Sequence, residues 1–163
     1  MKILAFDQAS KISGYCLMEN GKYIDSGIID KHKISDSDKR IGEMGIAIYQ
    51  KIAEVKPDLV VIENVQCQSG VSTVILLARL QGMILGYNYA HKIKTKILSP
   101  SQWRSNLKYR QGSGVKRSEL KQQSIDYVKE HFGFDDFSED RCEAICICAA
   151  ASNLFDDIWE DFD

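Results

Sequence analysis

The sequence predicts an α/β fold on a mixed sheet: three antiparallel strands at the N-terminus, then strands that alternate with helices. Three observations lead there. Ile3, Leu4, Ala5 and Phe6 make an unbroken apolar run ended by Asp7, the pattern of a strand buried on both faces. Asn20-Gly21 lies between two strand-like runs, a strong hairpin signal. Leu59, Val60, Val61 and Ile62 form a second apolar run, placed after a helical segment and ended by Glu63.

Each element can be justified in turn. Residues 1–7 are the first strand, Gln8-Ala9-Ser10 its turn, and Ser13 to Met18 the returning strand, in which Gly14 lets backbone or ligand approach closely. The hairpin at Asn20-Gly21 pairs residues 14–19 with 22–29. Ser35, Asp36, Ser37 and Asp38 offer N-caps, and Ile41, Met44, Ile48, Ile52 and Val55 recur at helical spacing, so residues 37–55 are an amphipathic helix stopped before Pro57. The strand over 58–63 follows. Residues 70–89 form a long helix whose Val71, Val74, Ile75, Leu77, Leu80, Ile84 and Tyr87 are expected to face the core. Leu76, Met83 and Leu85 are apolar as well. A helix apolar on more than one side is either enclosed or part of a subunit interface; for a small sheet domain the interface is the better reading. Residues 95–98 are a short strand, and Ser99-Pro100 opens a helix carrying Trp103 and Arg104. A basic loop with Gly112 and Gly114 leads to a helix over 118–132, capped by Gly133, and Ser138 caps the last helix.

A chain of 163 residues fits one domain, taken here as residues 1–153, with an acidic tail over 154–163. No apolar stretch reaches the length of a membrane span, no signal-like leader opens the chain, and five cysteines without regular spacing argue against a disulfide framework, so the cytoplasm is the expected compartment. Cys142, Cys146 and Cys148 read as small buried hydrophobes, since no Cys-x-x-Cys or neighbouring His completes a tetrahedral site. The net charge of −2 hides a segregation: the tail carries five acids and no base, which leaves the first 153 residues at +3. Within residues 92–121 nine bases stand against one acid, Glu119, a pattern suited to an anionic polymer. A solvated helix face would interleave acids, and this stretch mostly does not.

Acids mark the ends of two neighbouring strands, Asp7 and Glu63, and the first turns of the last helix, Asp140 and Glu143. Asp7 alone would cap a turn, and Glu139 and Asp140 alone would suit the positive end of a helix dipole. Glu143 is harder to explain that way, because the chain turns apolar at the next residue.

With Ile-Leu-Ala-Phe-Asp7 and Ser13-Gly14-Tyr15, Val-Val-Ile-Glu63-Asn-Val, and Glu-Asp140-Arg-Cys-Glu143-Ala-Ile in that order, the chain resembles the RuvC-type Holliday-junction resolvases, a phage-type variant being one form of that likeness. The resemblance implies a ribonuclease H-like mixed sheet with parallel later strands, flanked by helices. It implies a catalytic, metal-binding tetrad of Asp7, Glu63, Asp140 and Glu143, where Glu143 departs from the family's usual Asp. Magnesium or manganese is expected, two ions per site about 3.5–4 Å apart, to activate water and stabilise the leaving 3′ oxygen. Arg104, Lys108, Arg110, Lys116, Arg117 and Lys121 would contact DNA. The implied partners are branched DNA (four-way junctions, with three-way and flap forms competing) and a second copy of the chain, docked through the 70–89 helix. The aromatic wedge that relatives often carry after the strand-end Glu is missing from Val65-Gln66-Cys67-Gln68, with Trp103 and Tyr109 the nearest substitutes. Two other readings stay open: an actin- or sugar-kinase-like nucleotide-binding domain, and a non-catalytic DNA-binding protein of the same fold.

Overall fold

The computed structural model describes residues 1–67 and 70–155. Its elements run β1 (Lys2–Asp7), β2 (Ile12–Glu19), β3 (Lys22–Asp30), α1 (Ser37–Val55), β4 (Leu59–Glu63), α2 (Val71–Ala90), β5 (Lys94–Leu98), α3 (Pro100–Asn106), α4 (Arg117–Phe132) and α5 (Glu139–Phe155). The sheet order is β3-β2-β1-β4-β5. β1 pairs antiparallel with β2, and β2 with β3, while β1–β4 and β4–β5 are parallel. That is the mixed sheet expected from the sequence. The Asn20-Gly21 turn takes positive φ at both residues, 50° and 72°, which matches the twist of a two-residue hairpin.

Alternation along the two central strands divides the interior. Ile3 and Ala5 of β1, with Leu59 and Val61 of β4, face one core built with Trp103, Val128 and the apolar side of α5. Leu4 and Phe6, with Val60 and Ile62, face a second core built with α1 and with Leu80 and Ile84 of α2. β1 and β4 therefore read as continuous apolar runs because both faces of the sheet are covered.

Cys142, Cys146 and Cys148 are buried free thiols, as read from the sequence. Tyr109 donates its hydroxyl to Cys146 Sγ at 3.0 Å. Helix α5 extends to Phe155, and both Leu154 and Phe155 pack against the core; the five acids of the tail lie beyond, outside the described residues. Among the described residues no helix is long and apolar enough to cross a membrane.

Helix α2 corrects one expectation. Val71 and Ile75 do not face the core; they are 76% and 46% exposed, and Tyr89 near the far end is 89% exposed. Val71, Ile75, Ala78, Gly82 and Tyr89 fall on one side at three-, four- and seven-residue spacing, making an outward apolar stripe. Met83 turns the other way, so close to Gly45 of α1 that a Cβ there would meet its Cε. Leu80, Ile84 and Asn88 form the buried face. A helix apolar on more than one side is poorly oriented by its sequence, so only packing reveals which side is inside.

Candidate active site

The acids converge because of three local constraints. The first is register. Asp7, the last residue of β1, lies opposite Gly14 on β2. Gly14 has no Cβ, and one built there would stand 2.0 Å from the backbone oxygen of Asp140 and 3.0 Å from Ala144 Cβ. The missing side chain lets the first turn of α5 press onto the sheet, which carries Asp140 and Glu143 to the Asp7 end of the strand. Ser13, fully buried, closes the preceding turn by accepting from the Ala9 amide at 2.9 Å and donating to the Ala9 carbonyl at 3.0 Å.

The second constraint is Gln8, which sequence reasoning left as an ordinary turn residue. The parallel ladder between β1 and β4 ends at Phe6 and Ile62. Beyond it the Gln8 side chain takes over, donating to the Glu63 carbonyl while accepting from the Glu63 amide at 3.1 Å. A buried primary amide thus imitates one more backbone pair and ties the two acid-bearing strand tips together. A Gln after an Asp is too common a pair to announce this role.

The third is α3. Ser99 caps it, accepting from the Gln102 amide, and Gln102 returns a bond to the Ser99 amide at 2.8 Å. Trp103, fully buried, donates its indole Nε1–H to Glu63 Oε1 at 2.7 Å. Arg104 lies with its guanidinium 4.7 Å from the Trp103 ring and its Nη2 3.7 Å from Glu143 Oε1. Neither Trp103 nor Tyr109 is free to act as the substitute wedge considered above: Tyr109 meets the Trp103 ring edge-on and is held by Cys146. Gln66 is bonded to the Asn64 carbonyl at 3.4 Å, and Gln68 lies outside the described residues.

Electrostatics bear out the crowding. Burial pushes Asp7 well above the ordinary carboxylate range, and Glu143, Glu63 and Asp140 push it further in that order. Burial also raises Glu63, against the Trp103 bond and the charges of Arg104 and Arg117. Glu143 is raised by burial and by Glu63, and drawn back by Arg104, Lys121 and Arg117. Three half-buried acids that repel one another hold their protons more tightly than separate carboxyls would. Among the described residues no three such side chains stand ready-grouped around a cation position, with Glu63 turned to Trp103 and Glu143 to Arg104. The donors are nevertheless all carboxylate oxygen, the chemistry that hard divalent ions select.

Of the six bases read as DNA contacts, Lys108, Arg110, Lys116 and Arg117 are exposed. The loop start is pinned by a reciprocal pair in which the Arg110 amide donates to Gln123 Oε1 at 2.7 Å and Gln123 Nε2 donates to the Arg110 carbonyl at 3.0 Å. Gly112 and Gly114 then take φ of 107° and 91°, which a side chain would resist. Lys121 is half-buried and paired with Glu139, and Arg104 faces Glu143, so both are engaged by carboxylates of α5.

With that geometry in place, comparison identifies relatives. The family model described as crossover junction endodeoxyribonuclease RuvC matches residues 3–131. That span includes Asp7 and Glu63 but ends before Asp140 and Glu143. Among solved structures, T. thermophilus RuvC in complex with a Holliday junction substrate superposes with a TM-score of 0.74 at 11% identity, over 95% of this chain and 96% of that one. The Fowlpox virus resolvase, also in complex with Holliday junction DNA, gives 0.60 at 18% identity, over 98% and 97%. The yeast mitochondrial Holliday junction resolvase gives 0.58 at 15% identity, over 99% and 86%. At these identities the superpositions establish a shared fold. No curated protein matches the chain in sequence.

Proposed function

From the premise that this chain belongs to the RuvC family of crossover junction endodeoxyribonucleases, we propose that it nicks branched DNA through a site made by Asp7, Glu63, Asp140 and Glu143. The protein is a structure-selective endodeoxyribonuclease by family. The observation that carries the site is the packing of α5 onto Gly14, which gathers acids from both ends of the chain beside Asp7.

These four residues would hold magnesium or manganese, two ions per site. When bound, such ions supply activation of the attacking water and neutralise charge at the leaving 3′ oxygen. The chain's own residues do the rest. Gln8 fixes the separation of the Asp7 and Glu63 backbones, Trp103 orients the Glu63 carboxylate, and the exposed bases of the glycine loop hold phosphates. Because the acids need their protons removed to bind cations and burial makes that harder, cation affinity rises with pH. The expected boundary after residue 153 moves to Phe155, because Leu154 and Phe155 belong to the last turn of α5 and pack against the core.

The duplex arms lie along Lys108, Arg110, Lys116 and Arg117. Neutralising any two of these four is expected to flatten the slope of log affinity against log salt by roughly one to two units. Neutralising Lys121, already paired with Glu139, changes it less.

The active unit is a homodimer formed through the outward stripe of α2, which leaves two cutting sites to act on opposite strands. Ile75→Asp is expected to sediment as a monomer, since a charge stranded in an apolar contact costs roughly 3–5 kcal/mol. Met83→Asp is the contrasting variant: its side chain lies against Gly45 within the subunit, so it should unfold the protein rather than split the dimer.

Specificity is broad. No aromatic ring is presented after Glu63, and base–aromatic stacking of the kind such a wedge provides is worth about 1–3 kcal/mol per base. Three-way and flap branches should therefore be cut at rates within tenfold of a matched four-way junction, with little sequence preference at the cut. Rates on that matched set are the test. A hundredfold preference for the four-way form, with cuts confined to one short sequence, would reject the broad reading, and no metal-dependent nicking of any branch would reject the function.

A further inference from the structure

Arg104 does not look like a plain structural ion-pair partner. Its side chain and that of Glu143 are only 17% and 13% exposed, yet they approach through a single contact of 3.7 Å. Its Nε is buried and has no hydrogen-bond partner. A buried pair retained for stability would be expected to close with parallel bonds and satisfied donors, because an unpaired buried donor is costly. What holds the guanidinium here is its place 4.7 Å from the Trp103 ring, beside the indole that already holds Glu63. It is also the foremost of the positive charges that offset the acids at Glu143.

A guanidinium and a divalent ion at one carboxylate repel each other, so entry of the ion weakens the hold of Glu143 on Arg104. The displaced guanidinium needs another anion, and the phosphate backbone of bound DNA is the anion that this site receives. Its planar fork suits phosphate oxygens. We infer that Arg104 is the internal counter-cation of the acid cluster, which shares Glu143 with a divalent ion and passes to a DNA phosphate oxygen when that ion enters. Arg104 is then a positioning residue that makes cation entry and DNA engagement favour each other. The inference rests on the reading of the four acids as the cation site.

The test is titration of manganese into the DNA-free protein by calorimetry, comparing wild type with Arg104→Met, Arg104→Lys and Asp7→Asn. Arg104→Met keeps the apolar stem on Trp103 and removes the competing charge. It is expected to bind manganese about three- to thirtyfold more tightly, and to gain more in Tm from saturating manganese than wild type does. Arg104→Lys keeps the charge and should stay within about twofold of wild type. If Arg104→Met does not fold, Arg104→Gln takes its place and is read the same way. Junction affinity supplies the second half. With calcium present Arg104→Met should bind an uncut junction about tenfold more weakly than wild type, and with chelator less than threefold more weakly. Unchanged manganese affinity in Arg104→Met, or equal DNA deficits in calcium and chelator, overturns the inference. Asp7→Asn separates the two levels: if it binds manganese like wild type, the reading of the acids themselves has failed.

Discussion

Asp7→Asn is expected to abolish strand cleavage, by a factor of at least about a thousand in magnesium, while junction binding stays intact or tightens. The amide is nearly isosteric, so the fold has no reason to change, but the most crowded acid of the cluster loses its charge. If the four acids hold the cations, a cage without Asp7 would no longer neutralise the leaving oxygen, whereas DNA phosphates would meet one negative charge fewer. The same substitution carries a stability signature. Burial and the neighbouring acids raise Asp7 above its unfolded value, so the metal-free folded state holds that proton more tightly than the unfolded chain does. Stability is then fully present below the unfolded carboxylate range and is lost as pH rises toward and through the raised folded value. Asp7→Asn removes the loss, so at neutral pH without metal its Tm should exceed that of wild type by about 2–6 °C. The difference should vanish near pH 4. Normal turnover in magnesium, or a lower Tm at neutral pH, would contradict the assigned role.

Gly14→Ala is expected to be nearly as damaging, by a different route. Its Cβ would stand 2.0 Å from the Asp140 carbonyl oxygen and 2.7 Å from the carbonyl carbon, so helix backbone rather than a pliable side chain must yield. Overpacking of this kind costs about 1–3 kcal/mol. Lifting α5 by about 1 Å would carry Asp140 and Glu143 away from Asp7, and misplacement on that scale costs about a hundredfold in rate. Gly42→Ala in α1 is the control, because a Cβ there meets nothing within 4 Å. It should leave cleavage alone and raise stability by about 0.5–1 kcal/mol. Urea denaturation beside cleavage kinetics for the pair would show whether the close approach at Gly14, and not glycine loss as such, sustains the site.

What the sequence disclosed and what it hid follow from the kind of signal each residue sends. The central strands were legible because burial on both faces leaves unbroken apolar runs, and each run ends on its acid. The hairpin was legible because Asn20-Gly21 suits a turn with positive φ at both positions. The acids could be paired by their places at element ends. The orientation of α2 could not be read, since Val71 and Met83 are equally apolar and only the contact with Gly45 separates inside from outside. Gln8 acts through a pair of hydrogen bonds to Glu63, 55 positions away, and Trp103 through one, 40 positions away, and no local pattern carries that information. The basic segment showed its charge but not its direction, so Lys121 and Arg104 could not be told from bases that face solvent.

The wide separation of the acids along the chain has a consequence for how the protein is made. Asp7 leaves the ribosome well over a hundred residues ahead of Asp140 and Glu143. At synthesis rates of about 5–20 residues per second, the growing chain spends roughly 7–27 s with its opening acid and without its closing ones. Helix α5 also covers one face of β1, so until it emerges Ile3 and Ala5 lack most of their cover. If the four acids make the proposed site, the nascent chain stays unarmed beside nucleic acid until α5 emerges, and a product cut short before α5 lacks two of its acids as well as the cover of β1. On that reading, the emergence of α5 is itself the arming step.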